Sequence, residues 1–499
     1  MAEHTSPLLE EEVRHLLSRL SFGASVSEIQ DNIGRTAGDL VDELLDAAAS
    51  PLDPDPVWLS VQKPPRGAPD SEVSEFNSNN ASWRDELRST WVIDMSTDGL
   101  RGRLALFWHN HFVTGMEVYK YAAYGHNYLK TLKLNSQGNF KTFVHAIGRD
   151  PAMLIYLDGD TNTASAPNEN YARELLELFT MSPSAPDGSA NYTEHDIQEI
   201  ARAMTGWRIT PSSTWNSYLL FDRYDDGEKT IFGRTGAFNY NDVVEIIFEE
   251  RSSQIAHFIA DKLYREFVYQ AFDLNSVSAL AQTLLDSNFE LRPVLRQLFT
   301  SERFLDSDFA GSRVKAPVEH LIGLFTELDL TPSPGQAEQL WRAAGETGQS
   351  LLSPPNVAGW PGHRYWLSTD TLPKRWDYSD FVLGSSIASV HLVTLGSSLV
   401  GPNSTHPALE VSVALARHAF KVPIEWVEIP HIEDDFAGDL DANPLPEWLV
   451  NGPEYQRDLA KLFLGSVPWY EFGFRSGSGP QMVTAFMVRL SQFPEFQLI

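Results

Sequence analysis

The segment Pro167 to Thr180 (PNENYARELLELFT) holds the densest set of reactive groups in this chain. On a helix, Asn170, Arg173, Glu174 and Glu177 fall at i, i+3, i+4 and i+7, so the spacing predicts that they share one face. Such a stripe of amide, guanidinium and two carboxylates could orient a ligand, hold a metal, or supply acid and base. Glu169, Arg173, Glu174 and Glu177 are therefore the candidate catalytic residues, with Asn168 and Asn170 as candidate ligand contacts. The same pattern also describes a solvated face with an Arg–Glu pair, or a buried ion network holding helices in register.

Just upstream, Asp158, Asp160, Asn162 and Glu169 occupy positions one, three, five and twelve of an EF-hand-like calcium loop. Position six, which needs Gly for its sharp turn, is Thr163, and Pro167 interrupts the second half, so a polar turn competes with a calcium site. In Trp108 to Phe112 (WHNHF), His109 and His111 are candidate metal ligands. Residues two apart on a helix point about 200° away from each other, which disfavours joint ligation, whereas His111 alone could meet Glu174 in space. Together His109, His111, Asp158, Asp160 and Glu174 form the candidate set for a divalent metal ion. Trp207, Trp360 and Trp366 are candidate stacking surfaces, as for a polysaccharide, and His363 is a further loop candidate. The glycine-containing Phe232 to Gly236 lacks the Lys-Ser/Thr of a phosphate loop, and no GxSxG, HExxH or dinucleotide-binding motif occurs.

The elements that must position these groups read as helices. Apolar residues recur at helical spacing over 8–20, 39–49, 140–147, 151–157 and 480–490, and helices resume near Trp83 and Leu100. Thr193 and Asp196 form a capping-box-like start, and Asn241 is a candidate cap for the next helix. Two short apolar runs around Asp226-Gly227 predict one β-hairpin over 218–233. The expected fold is mainly α, a large multi-helical protein with one or two small β-hairpins. Its expected divisions are N-terminal helices at 1–49, an irregular Pro/Asn-rich connection at 50–82, a central helical domain at 83–310, and a C-terminal helical region at 311–499 with an ordered Pro/Gly/Trp loop at 350–368.

Composition narrows the function classes. The absence of cysteine excludes disulfides, thiolate metal sites and cysteine nucleophiles. A net charge of −29, spread along the chain, disfavours nucleic acid and anionic lipid as partners. No apolar run reaches the roughly 18 residues of a membrane span, so no membrane insertion is expected. The first residues lack a basic n-region and an apolar h-region, which predicts a cytoplasmic protein.

The strings HLLSRLSFG, FWHNHF, PAMLIYLD, NENYARELLELFT, IARAMTGW, GEKTIFGRTG, SPPNVAGWPG and FPEFQL occur in this order. By these, from about His15 to Leu498, the chain resembles the bacterial family catalogued as domain of unknown function 1800. The resemblance implies no settled activity. It implies frequent export, and a partner resembling sulfatases and alkaline phosphatases. Relatives usually carry His where this chain has Phe179, and a His-Asp pair where it has Asp225-Asp226, so a site built on those histidines would be altered here. Two functions follow as expectations: a carboxylate-rich, metal-assisted hydrolase or transferase, or a non-catalytic binding or assembly protein acting with that partner.

Overall fold

Thr193 opens its helix as the sequence predicts. Its Oγ1 accepts from the Asp196 N–H at 3.2 Å while Asp196 Oδ2 accepts from the Thr193 N–H at 2.9 Å, satisfying two end groups of the Glu194–Ala203 helix. Local signals of this kind recur: Asn139 caps Phe140–Ile147, and Asp150 caps Pro151–Tyr156 with proline in the first turn. The computed structural model describes residues 1–185, 188–210, 214–475 and 477–499. Among them the chain is mainly α, with two small two-stranded antiparallel sheets. One continuous apolar core runs from Leu8 to Phe496.

Three expectations are corrected. The Asn/Ser-rich stretch assigned to an irregular connection is helical from Asp70, within the Asp70–Thr97 helix. Its polar residues have long-range partners: Asn80 donates to the Lys120 carbonyl at 2.9 Å and accepts from the Ala122 N–H at 3.0 Å, while Phe76 is buried. The apolar runs around Asp226-Gly227 do not pair with each other. Ser217–Leu219 pairs with Trp207–Ile209, and Lys229–Ile231 pairs with Arg234–Gly236. Asp225 is held instead by Arg202 at 2.8 Å, and the tight turn forms at Phe232-Gly233, both in left-handed backbone as a type I′ turn requires. Finally, Asn239, not Asn241, caps the Tyr240–Glu250 helix.

The Leu100–His111 helix is central. Every residue on it except Asn110 is buried, including Arg103, His109 and His111. It packs against Ala37–Ala48, Asp70–Thr97 and Ala122–Asn135, and Trp108 stacks on Phe112 and Phe140 and meets Phe143 edge-on, tying it to the Phe140–Ile147 helix. In the C-terminal half, the four helices Ser386–Val400, Pro407–Ala419, Glu454–Leu464 and Gly479–Ser491 pack on one another. Among the described residues no single helix is long and apolar enough to cross a membrane. The pair Thr371–Leu383 and Ser386–Val400 reaches that length only jointly and is bent by 82° between them.

Candidate functional site

The opening segment folds as the short helix Asn170–Glu174 followed directly by a π-helical turn, Leu175–Thr180. The Met181 N–H reaches back to the Leu176 carbonyl at 3.0 Å, and Thr180 Oγ1 donates to the Leu175 carbonyl at 2.6 Å. This wide turn ends the 3.6-residue spacing just after Glu174, and such turns are frequent at functional sites. Of the carboxylates, Glu169 pairs with Arg173 at 3.1 Å, and Arg173 forks onto exposed Glu194 at 2.8 and 2.9 Å. These are solvated surface pairs. Glu174 is half-buried, and burial, reinforced by the Glu177 charge, raises its carboxyl above the usual range.

The other predicted residues are dispersed. Asn168 caps its own turn: its N–H donates to Asn162 Oδ1 and its Oδ1 accepts from the Asn170 N–H, each at 2.9 Å. Asn170 donates to the Leu157 carbonyl at 3.4 Å. Asn162, a predicted calcium ligand, is buried and donates to the Ala201 carbonyl, and Asp158 sits in left-handed backbone as a turn residue. Asp160 faces a separate aromatic cavity with Tyr124 and Trp215. Trp207 lies half-buried in a strand. Among the described residues, neither Asp158, Asp160 and Glu169 nor His109, His111 and Glu174 form a three-ligand group.

His109 is fully buried. Its Nδ1 meets the Tyr128 hydroxyl at 2.9 Å; that hydroxyl donates to the Phe112 carbonyl at 2.6 Å, so Nδ1 carries the hydrogen. Burial drives its ionisation down to about 3. His111 Nε2 donates to the Phe179 carbonyl at 3.0 Å, one of the helix-end carbonyls with no intrahelical donor. Its Nδ1 is left unpartnered, and burial followed by the Lys262 charge keeps the ring neutral. Phe179 packs its ring 6.2 Å from that of His111.

His111 opens onto a cleft of about 350 Å³ between its own helix, the Ser252–Phe267 helix and the loop ending at Trp366. Arg103, Lys262, Arg265 and Arg313 line it against a single lining carboxylate, Glu266. Arg103 bridges Glu266 at 2.6 Å and fully buried Glu319, while Arg313 bridges the same two carboxylates. Burial opposes ionisation of Glu319, but the two guanidiniums outweigh it and hold the carboxyl down to about 2. Arg265 is paired with Asp261 at 2.8 Å. Lys262 makes no ion pair among the described residues, and burial pushes its amine down to about 8. Among the described residues, the Nε atoms of Arg103 and Arg313 and Nδ1 of His363 are buried without partners, as is His111 Nδ1.

The loop wall is fixed by glycine. Gly359 has φ +85°, and a Cβ there would collide with the Asn110 side chain and lie 2.7 Å from its carbonyl. That approach lets Asn110 Oδ1 accept from the Trp360 N–H at 2.7 Å, seating Trp360 edge-on to His109 at 5.3 Å. Thus His111, Trp360, Trp366 and His363, all marked in the sequence, share one cleft. Arg103, Lys262, Arg265 and Arg313 are not marked by the sequence: Lys262 and Arg265 share a helix, but Arg103 and Arg313 lie far from them in the chain and no local motif joins the three parts.

The fold and cleft define a multi-helical protein with a cation-lined pocket braced by buried carboxylates. The family described as "Protein of unknown function (DUF1800)" matches residues 15–464, nearly the full chain, and the protein belongs to that family. Comparison with curated proteins and with solved structures finds no match.

Proposed function

We propose that the protein binds a small ligand bearing an oxyanion (phosphate, sulfate or carboxylate) in the cleft between Lys262, Arg265 and His363. The observation that carries this reading is the Lys262 amine, which has no ion pair among the described residues, set among unpartnered nitrogens in a chain of net charge −29. Ammonium and guanidinium N–H groups donate to anionic oxygens, and neutral His111 Nδ1 accepts from a ligand hydroxyl. A partner resembling a sulfatase or alkaline phosphatase handles such oxyanions, so assembly with one belongs to this proposal. A second reading, a hydrolase or transferase, is favoured by Lys262 itself: an amine brought to about 8 can exchange protons near neutral pH. In that reading the chemistry sits at Lys262, and Glu174 has no direct part.

Calorimetric titration of the full chain with inorganic phosphate, inorganic sulfate and p-nitrophenyl phosphate tests both. Binding of at least one is expected, weakened about ten- to a hundredfold by Lys262→Met, the usual worth of a charged hydrogen bond. Arg173→Met, on the surface pair, should leave it unchanged. No heat with any of the three, or unaltered affinity in Lys262→Met, overturns the binding reading. Release of p-nitrophenol that disappears in Lys262→Met selects the enzyme.

A further inference from the structure

A convergence of histidine and carboxylates exists in this molecule, far from the segment where the sequence suggested one. Glu454 and Asp458 stand at i and i+4 on the Glu454–Leu464 helix, so their carboxylates share a face. Ile432 is pinned to that helix from both sides. Its N–H donates to Asp458 Oδ1 at 3.1 Å and its carbonyl accepts from Lys461 Nζ at 2.8 Å. The adjacent His431 is thereby held with Nδ1 at 3.1 Å from Glu454 Oε1 and 3.4 Å from Asp458 Oδ2. All three atoms lie within 4.8 Å of one another.

Two independent features point to a cation at their centre. Metal–ligand bonds of about 2.1 Å in a tetrahedron put ligand atoms about 3.4 Å apart, which matches the two measured separations. Charge gives the second. Asp458 is only 3% exposed, yet among the described residues no Lys or Arg nitrogen pairs with it, because Lys461 is committed to the Ile432 carbonyl. A buried carboxylate without a permanent counter-charge is costly, and a dication removes that cost.

We propose that His431 Nδ1, Glu454 Oε1 and Asp458 Oδ2 bind one divalent transition-metal ion of the zinc type, clamping the chain around His431 onto the Glu454–Leu464 helix. One imidazole with two carboxylates suits zinc over calcium or magnesium, which take all-oxygen sets. Three protein ligands leave a fourth position for water. The site is separate from the cation-lined cleft and does not depend on the function proposed for it.

The test uses the full chain, stripped with a chelator and titrated with ZnCl₂ by calorimetry and with CoCl₂ by visible absorption. One equivalent is expected to bind with a tetrahedral Co²⁺ spectrum and to raise the melting temperature. His431→Ala, at a solvent-exposed position, should keep the native circular dichroism and weaken Zn²⁺ binding about a hundredfold or more, beyond what loss of a supporting residue gives. Glu454→Gln should weaken it in the same direction. Absence of a one-equivalent site overturns the proposal and leaves the His431 ring as a polar contact of Asp458 without a metal. Equal Zn²⁺ affinity in wild type and His431→Ala overturns it as well, placing the metal on other surface carboxylates.

Discussion

Lys262 reaches the cleft from a helix that also lines it with Arg265 and Glu266; Glu266 is taken by Arg103 and Arg313, so among the described residues the Lys262 amine loses water without gaining an ion pair. Burial sets the direction of its shift, and the neighbouring Asp261 charge opposes it only in part. The sign of the pH dependence follows. Below about 8 the amine is charged and attracts an oxyanion; above it the charge is lost while Arg103 and Arg313 stay ionised and bound to Glu266 and Glu319. Phosphate or sulfate affinity should therefore fall as pH rises through about 8 to 9, by about tenfold if Lys262 supplies one charged hydrogen bond. Lys262→Arg should keep the affinity at pH 7 and flatten this profile. A profile that is already flat in the wild type would remove Lys262 from the site. His111 contributes no such step, because burial keeps it neutral throughout.

At the scale of elements, the cleft depends on how the loop before Trp366 docks against the Leu100–His111 helix, and Gly359 is the point of closest approach. Gly359→Ala adds left-handed strain and a clash with Asn110, so it should destabilise the protein by about 2 kcal/mol or more. Denaturant unfolding measures that cost. Calorimetry should show anion affinity falling with it, since Trp360 and His363 follow directly; stability within about 0.5 kcal/mol of wild type would mean that the loop does not dock this way. The contrast between legible and hidden elements has the same physical root. Helices with their own caps, such as those after Thr193, Asn139 and Asp150, are written in adjacent residues, and so is the VAGWPG loop. The helix through SEFNSNN is not, because Asn80 and Phe76 are satisfied by residues about forty or more positions away. The hairpin partners were misjudged because Arg202 captures Asp225 from another element. The π-turn is equally unreadable, although the Glu177 charge still reaches Glu174 across it. Trp360, His363 and His111 are visible in sequence as unusual residues; that they meet cations from three separate parts of the chain is not.

The whole molecule stores a set of neutral imidazoles in its interior, and this fixes how it responds to acid. Burial drives His15, His109 and His418 down to about 3, and His111 and His320 well below their ordinary value. Free imidazole titrates near 6.5, so as pH falls below that the unfolded chain takes up protons that the folded chain refuses. Stability is thus fully present above about 6.5 and is lost progressively towards 3, at about 1.4 kcal/mol per pH unit for each histidine. Asp150 acts in the opposite sense: burial raises its carboxyl to about 7, so it favours the folded state as pH drops from 7 towards 4, and the raised carboxyls of Asp94, Asp160 and Glu174 act in the same direction. Glu319 adds to the acid loss below about 4.5, where its bridge to Arg103 and Arg313 must be protonated away on unfolding. Urea unfolding at pH 7.5, 6 and 5 should therefore show stability dropping by several kcal/mol per unit below pH 6. His109→Gln keeps a donor for the Tyr128 hydroxyl and removes one titrating ring; it should lower the slope by about 1.4 kcal/mol per unit whatever it does to stability at pH 7.5. Stability that is level or rising from pH 7.5 to 5 would mean that these rings are charged in the folded protein, and the neutral His111 acceptor in the cleft would fall with them.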